Sequence, residues 1–250
     1  MLFALPLIAI MSVGVNAAEP PPPPGIVEVF GCNYNDGKDN DDLMAARDYF
    51  VKQSEKAGVP TQPSYVWNLY KGGIPLDFVW FTAHESLAAF GANADAGFGK
   101  EELDLALERF NTVGSCQAGM MTIRDLFVRE GAEADGGGAP TLVSSSACSF
   151  QPGADESDLR DLGDHIAGVL KGMGDEAPIS VYGMRPITGG PNIRDVYVFN
   201  LNESASAWSG FIANLVTSEA GQRLGRHFDS VLDCDQSMWG AQRVIDPQEG

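Results

Sequence analysis

This chain repeats itself. When the stretch beginning at Cys32 is laid on the stretch beginning at Cys148, matches recur at an offset of 116 to 118 residues. Cys32 falls on Cys148, Leu43 on Leu159, Gly72-Gly73 on Gly189-Gly190, Asp77 on Asp195 and Glu85-Ser86 on Glu203-Ser204. Phe110, Val113 and Cys116 then meet Phe228, Val231 and Cys234. Collinear Cys, Gly-Gly and Glu-Ser pairs with so little drift imply two copies of one structural unit. Between them Gly131 to Pro140, with Gly136-Gly137-Gly138, has the composition of a flexible linker. The copies are therefore expected at residues 25–130 and 141–246.

Each copy carries the same order of elements. In the first, Ile26 to Cys32 is β-branched and aromatic and reads as a strand. Asp39 to Asp42 supplies an N-cap and negative charge for a helix with Leu43, Ala46 and Phe50 on one face, closed at Gly58. The second copy has the helical stripe Leu159, Leu162, Ile166, Val169 and Leu170 before Gly172. Two strands follow, Ser64 to Tyr70 and Asp77 to Ala83, then Ile179 to Arg185 and Asp195 to Leu201 in the second copy. Each pair turns across its Gly-Gly. Helical segments come next, Leu87 to Ala94 and Glu101 to Val113, against a single run Ala205 to Val231. Ser86 and Ser204 are placed to cap them. A last strand follows each second cysteine, over Gln117 to Phe127 and Gln236 to Val244.

Strand, helix, strand, strand, helix, strand is the split βαβ of ferredoxin-like folds, an α+β class in which the last strand lies antiparallel beside the first. Four cysteines allow three pairings. Cys32 ends a first strand and Cys116 opens a last one, so topology and repetition favour Cys32 with Cys116 and Cys148 with Cys234. Each such bridge closes more than eighty residues and, in the chain-entropy picture, contributes roughly 4 kcal/mol. Zinc is the rival use of four cysteines, but no pair has the close C-x-x-C spacing that zinc sites favour. In topology and repetition the chain resembles the dimeric α/β-barrel superfamily in its fused form, over about residues 25 to 246. The resemblance implies two tandem βαββαβ units whose sheets pair into one barrel, a pseudo-dimer within one chain and hence a monomer. Members include cofactor-free monooxygenases, isomerases, haem enzymes and proteins without known activity, and no catalytic motif transfers.

Residues 1–18 hold an apolar run ending in Val15-Asn16-Ala17-Ala18, the form of a secretory leader, though without the basic residue that usually stands near Met1. Residues 19–24 add a polyproline spacer. No later stretch reaches the roughly 20 apolar residues of a membrane span. A periplasmic or extracellular protein is expected, and the four cysteines suit an oxidising compartment. The net charge of −18 repels phosphate backbones, so nucleic acid is not an expected partner.

Alternation splits the third strand of each copy into two faces. Val79, Phe81 and Ala83, with Tyr197, Phe199 and Leu201, are expected to pack under helices. Phe78, Trp80, Thr82 and His84, with Val196, Val198, Asn200 and Asn202, become polar toward their end and are expected to face the barrel interior. There Trp80, Thr82, Asn200, Asn202, Trp67 and Tyr65 would line a pocket for a small apolar or aromatic molecule. His84, with Asn33 and Tyr34 nearby, is the candidate acid or base. The functions so implied are a binding protein, a cofactor-independent oxygenase or isomerase using His84, or an envelope-associated interaction protein with a packed interior. No metal site is expected. Asn33 to Asp42 lacks the ligand order of an EF-hand. Haem has three histidines to choose from, His84, His165 and His227, but no C-x-x-C-H, and no cofactor is expected.

Overall fold

The computed structural model describes residues 25–132, 141–189 and 193–247. The leader, the proline-rich spacer, nearly all of the expected linker and Gly190 lie outside them. The elements run β1 (Gly25–Tyr34), α1 (Asn40–Ala57), β2 (Ser64–Gly72), β3 (Phe78–His84), α2 (Leu87–Gly97), α3 (Glu101–Val113) and β4 (Gly114–Val128). They continue as β5 (Thr141–Phe150), α4 (Glu156–Met173), β6 (Ser180–Thr188), β7 (Val196–Asn202), α5 (Ala205–Thr217), α6 (Glu219–Val231) and β8 (Leu232–Ile245).

Helix boundaries follow the local chemistry. Asp39 caps α1 by accepting from the N–H groups of Asp41 and Asp42, and Gly58 ends it with φ 68°, where a side chain would be strained. Asp155 and Asp158 form a reciprocal capping box at α4. Ser86 and Ser204 accept from Ala89 and Ala207 N–H at 3.1 Å, as the recurring Glu-Ser suggested. The single helical run expected over Ala205 to Val231 is broken in two. Ser218 has an extended backbone and its Oγ accepts from Gly221 N–H, so it ends α5 and caps α6.

All eight strands close into one antiparallel barrel in the order β1-β3-β2-β8-β5-β7-β6-β4. Within the first half the order is β4-β1-β3-β2, and within the second β8-β5-β7-β6. The halves join where β2 pairs with β8 and β4 with β6. Cys32 lies opposite Cys116 and Cys148 opposite Cys234, and both pairs are disulfide-bonded.

Closure creates three apolar regions. One fills the barrel and draws on both halves, with Val27, Trp67, Phe81, Met121, Phe199 and Trp239 among its members. The other two lie outside, between strands and helices. Leu43 and Ala46 of α1 pack with Cys32, Phe78 and Trp80 in the first half. Leu162, Ile166 and Leu170 of α4 pack with Phe211, Leu224, Val196 and Val198 in the second.

This partition corrects the expected faces of β3 and β7. Val79, Phe81, Tyr197, Phe199 and Leu201 point into the barrel, whereas Phe78, Trp80, Val196 and Val198 lie under helices. Period two separates two faces but carries no label for inside and outside. In strands covered on both sides both faces are apolar, so hydrophobicity does not break the tie. The polar turn at Thr82 and His84 marks the edge of the outer layer, not the lumen.

Candidate ligand cavity

The inward rows of β1 to β8 leave a cavity of about 640 Å³. Its walls carry Trp67 of β2, Phe81 of β3, Phe199 of β7 and Trp239 of β8, with Met121 and Met184 between them. The rings brace one another. Trp67 lies 4.3 Å from Phe81 and 4.9 Å from Phe199, centroid to centroid, and Tyr182 supports Phe199 at 5.2 Å. Trp239 Nε1 donates to Ser145 Oγ at 2.8 Å, which fixes its indole and satisfies its buried N–H. Such rigid aromatic walls give a ligand large contact area at little entropic cost, and the volume lies in the usual range for small-molecule sites.

The mouth is built by loops and strand ends. Ile74 and Leu76 come from the β2–β3 connection, and Ile193 and Arg194 precede β7. Asn33, Ser115, Gln117, Asp235 and Gln236 make the rim polar. Arg194 forms an ion pair with Asp235 and donates to Ser149 Oγ at 3.3 Å. Its backbone N–H donates to the Tyr197 hydroxyl at 3.1 Å, which leaves the phenol O–H as a donor at the rim. The site therefore pairs an apolar interior with neutral and charged hydrogen-bonding groups at one end.

Of the residues expected to line a pocket, Trp67 is on the wall and Asn33 at the rim. Tyr65 faces inward but packs into the barrel core, with the Arg243 guanidinium 5.8 Å from its ring. Trp80 lies outside, edge-on to Phe110 of α3 at 5.3 Å, and its Nε1 donates to Thr82 Oγ1. Thr82 also meets Ser64 Oγ at 3.3 Å. Asn200 donates to Ser144 Oγ, and Asn202 donates to the Asn200 and Leu142 carbonyls. These last two share the outer face of β7 with Val196 and Val198. Tyr34 stacks on Phe78 at 4.6 Å and hydrogen-bonds to Asn68. Burial, with Asp77 and Asp39 adding to it, pushes its pKa up to about 12, so it stays protonated and cannot serve as a base near neutrality.

His84 is also outside the barrel, which separates it from the cavity. Its side chain is 1 % exposed, and Nε2 lies 2.9 Å from Glu28 Oε2 on β1. Phe90 of α2 meets the ring edge-on at 5.3 Å. Nδ1 is buried without a partner, and so is Oδ1 of Asn202, the residue that matches His84 in the second half. His165 and His227 lie on α4 and α6 and face each other. None of the three histidines lines the cavity. The residues that sequence reasoning missed are Phe81, Met121, Met184, Phe199 and Trp239. Alternation had placed Phe81 and Phe199 on one face, but only sheet closure shows that this face is the lumen.

No protein-family model and no curated protein matches this chain. Solved structures share its fold. A candidate monooxygenase from Fusobacterium nucleatum aligns with a TM-score of 0.55 at 10 % identity, covering 89 % of this chain and 94 % of its own. An anthrone oxidase-like protein aligns at 0.54 and 12 %, covering 90 % and 94 %. A candidate chlorite dismutase gives 0.54 and 11 %, covering 91 % and 97 %. The fold shared with these proteins is the ferredoxin-like dimeric α/β barrel.

Proposed function

We propose that this chain is an exported binding protein whose barrel takes up a small, largely apolar aromatic molecule. The observation that carries the reading is the cavity of about 640 Å³ between Trp67, Phe81, Phe199 and Trp239. Met121 and Met184 add polarizable, adaptable contact, which suits a planar guest. The polar rim around Arg194, Asp235 and Tyr197 would receive the polar end of the molecule. Export is inferred from the leader-like residues 1–18 together with the two disulfides. We further read the chain as a fused member of the dimeric α/β-barrel superfamily that arose by duplication, with units at residues 25–130 and 141–246. The common strand order of the two halves and the recurring residues support this. An interaction protein with a packed interior is disfavoured by the cavity itself.

The test is a panel of hydrophobic aromatic compounds screened by thermal shift and by tryptophan fluorescence. A true ligand raises the melting temperature and perturbs the emission of Trp67 or Trp239. It should do neither in Ala147→Leu, which puts added bulk on the cavity wall. Equal binding by that variant, or no response from a broad panel, would refute the reading.

A second reading rests on one specific observation, the buried His84 with Glu28 on one ring nitrogen and no partner on the other. A carboxylate that orients an imidazole leaves the far nitrogen to accept or give a proton. This arrangement supports an enzyme of the cofactor-independent oxygenase or isomerase kind, acting between the sheet and α2 and not in the barrel. Oxygen consumption or isomerisation with a substrate found by screening, lost in His84→Asn but unaffected by Ala147→Leu, would favour it over the binding protein.

A further inference from the structure

We propose that the hydroxyls of Tyr197 and Ser145 are the specificity-determining donors of the barrel cavity. They select an uncharged aromatic molecule with an acceptor oxygen over a hydrocarbon or a carboxylate of the same outline. The inference rests on the reading of the barrel as a binding site and names what holds the polar end of its guest. Both residues line the cavity. A hydroxyl has one proton to give and lone pairs with which to accept. In each of these two an N–H already occupies the accepting side. The Arg194 backbone N–H donates to Tyr197 Oη at 3.1 Å, and Trp239 Nε1 donates to Ser145 Oγ at 2.8 Å. Neither hydroxyl has an acceptor for its own proton among the described residues. Ser237 stands opposite Ser145 on β8, but its Oγ is buried without a partner, so it does not take that proton. Both O–H groups are left to whatever fills the cavity.

Strand register sets the two donors at different depths. Across β5 and β7, Ala147 pairs with Tyr197 and Ser145 with Phe199, so Ser145 stands two residues further from the mouth. Tyr197 serves the rim and Ser145 the aromatic interior. Each hydroxyl is held by the N–H from which it accepts, so little freedom is lost when a guest takes its proton. Charge decides against an anion. Arg194 and Asp235 are the charged residues among the described lining, and they pair with each other, while Asn33, Ser115, Gln117 and Gln236 are neutral. A carboxylate would have to compete with Asp235 for the guanidinium and enter against a net charge of −18. A hydrocarbon would cover both hydroxyls without giving either an acceptor, which costs their desolvation. A site built to hydrogen-bond an oxygen thereby rejects the analogue that lacks it.

The test is calorimetric titration of the full chain, disulfides intact, with acetylnaphthalene, ethylnaphthalene and naphthoate substituted at the same ring position. The ketone should bind about tenfold more tightly than the ethyl compound, and naphthoate more weakly than the ketone. In the double variant Ser145→Ala/Tyr197→Phe the ratio of ketone to ethyl affinity should fall to about one. The ratio separates donation from shape, because any loosening of Trp239 by the loss of Ser145 weakens both compounds alike. Tyr197→Phe alone keeps the ring and the Trp239 bond, and should already lower the ratio by about threefold. Binding of the ethyl compound by the variants reports that their cavity is intact. A ketone preference that persists in both variants would overturn the inference and leave the cavity a binding site, as would naphthoate binding as tightly as the ketone. Failure of the parent to bind any of the three would overturn it together with the binding reading.

Discussion

The two halves of the barrel share one strand order but not one chemistry. In the second half the helices lock together. Phe211 of α5 and Leu224 of α6 are buried with Leu162, Ile166 and Leu170 of α4. In the first half α2 buries no residue at all, and Phe98 just beyond it is 91 % exposed. Beneath α2 sits the His84–Glu28 pair, whereas the matching place in the second half holds Asn202, bonded only to backbone carbonyls. The strands and bridges are thus a common frame, and what the helices cover differs between the halves. A buried imidazole paired with a partly exposed carboxylate under a loosely packed helix is a place where change costs little packing and alters local chemistry.

If the frame is common, both bridges should contribute alike. Cys32→Ala with Cys116→Ala, and Cys148→Ala with Cys234→Ala, open loops of nearly equal sequence separation, 84 and 86. Each pair of changes should lower stability by about 4 kcal/mol, read as equal shifts of the urea midpoint. A large inequality would mean that the halves differ in their frame as well as in their covering.

The helical layers should respond unequally. Phe211→Ala empties a buried position and should cost about 3 kcal/mol, whereas Phe90→Ala on α2 removes a half-buried ring and should cost about 1 kcal/mol. Denaturant melts of the two variants measure this directly. Equal losses would show that α2 is as firmly seated as α5.

The smallest contrast lies in pH dependence. Asp42 on α1 is held below the ordinary carboxylate range chiefly by the Lys38 hydrogen bond. On α4, Asp155 is lowered chiefly by the Ser157 hydroxyl, and Glu156 chiefly by its bond to Arg185. A lowered value in the folded state means stability that is present above the unfolded carboxylate range and is lost as pH falls through the lowered values. Asp125, raised by burial, acts in the opposite sense, since protonation on acidification relieves its penalty. Urea midpoints measured from neutral to acidic pH should fall less steeply in Asp155→Asn/Glu156→Gln than in the parent. Asp42→Asn should flatten the curve less, having one such carboxylate to lose where α4 has two. Equal flattening would argue that the two first turns are electrostatically equivalent.

Much of the fold was legible in the residues, and little of the site. The alternation in β3 and β7, the aspartate and serine caps and the positions of all four cysteines each depend on neighbours a few residues away or on the recurrence of a pattern. Local rules govern them, and they can be read in one dimension. Ser218 escaped notice because a capping serine inside a long amphipathic run looks like any polar position on a helix face. The cavity residues were partly visible, with Trp67 expected there, but Phe81 and Phe199 were expected under the helices and Trp80 in the lumen, and the structure has them the other way round.

By itself the sequence determined the periodic elements, their order, and which cysteines could become neighbours, because hydrogen-bonding geometry and capping act over short stretches of chain. Only the tertiary structure decided which strand face became the lumen, that His84 lies beneath a helix, and that His165 meets His227. Closing a sheet gives it an inside, and no single strand contains that information. The choice is made by how eight strands and two layers of helices bury their apolar faces together.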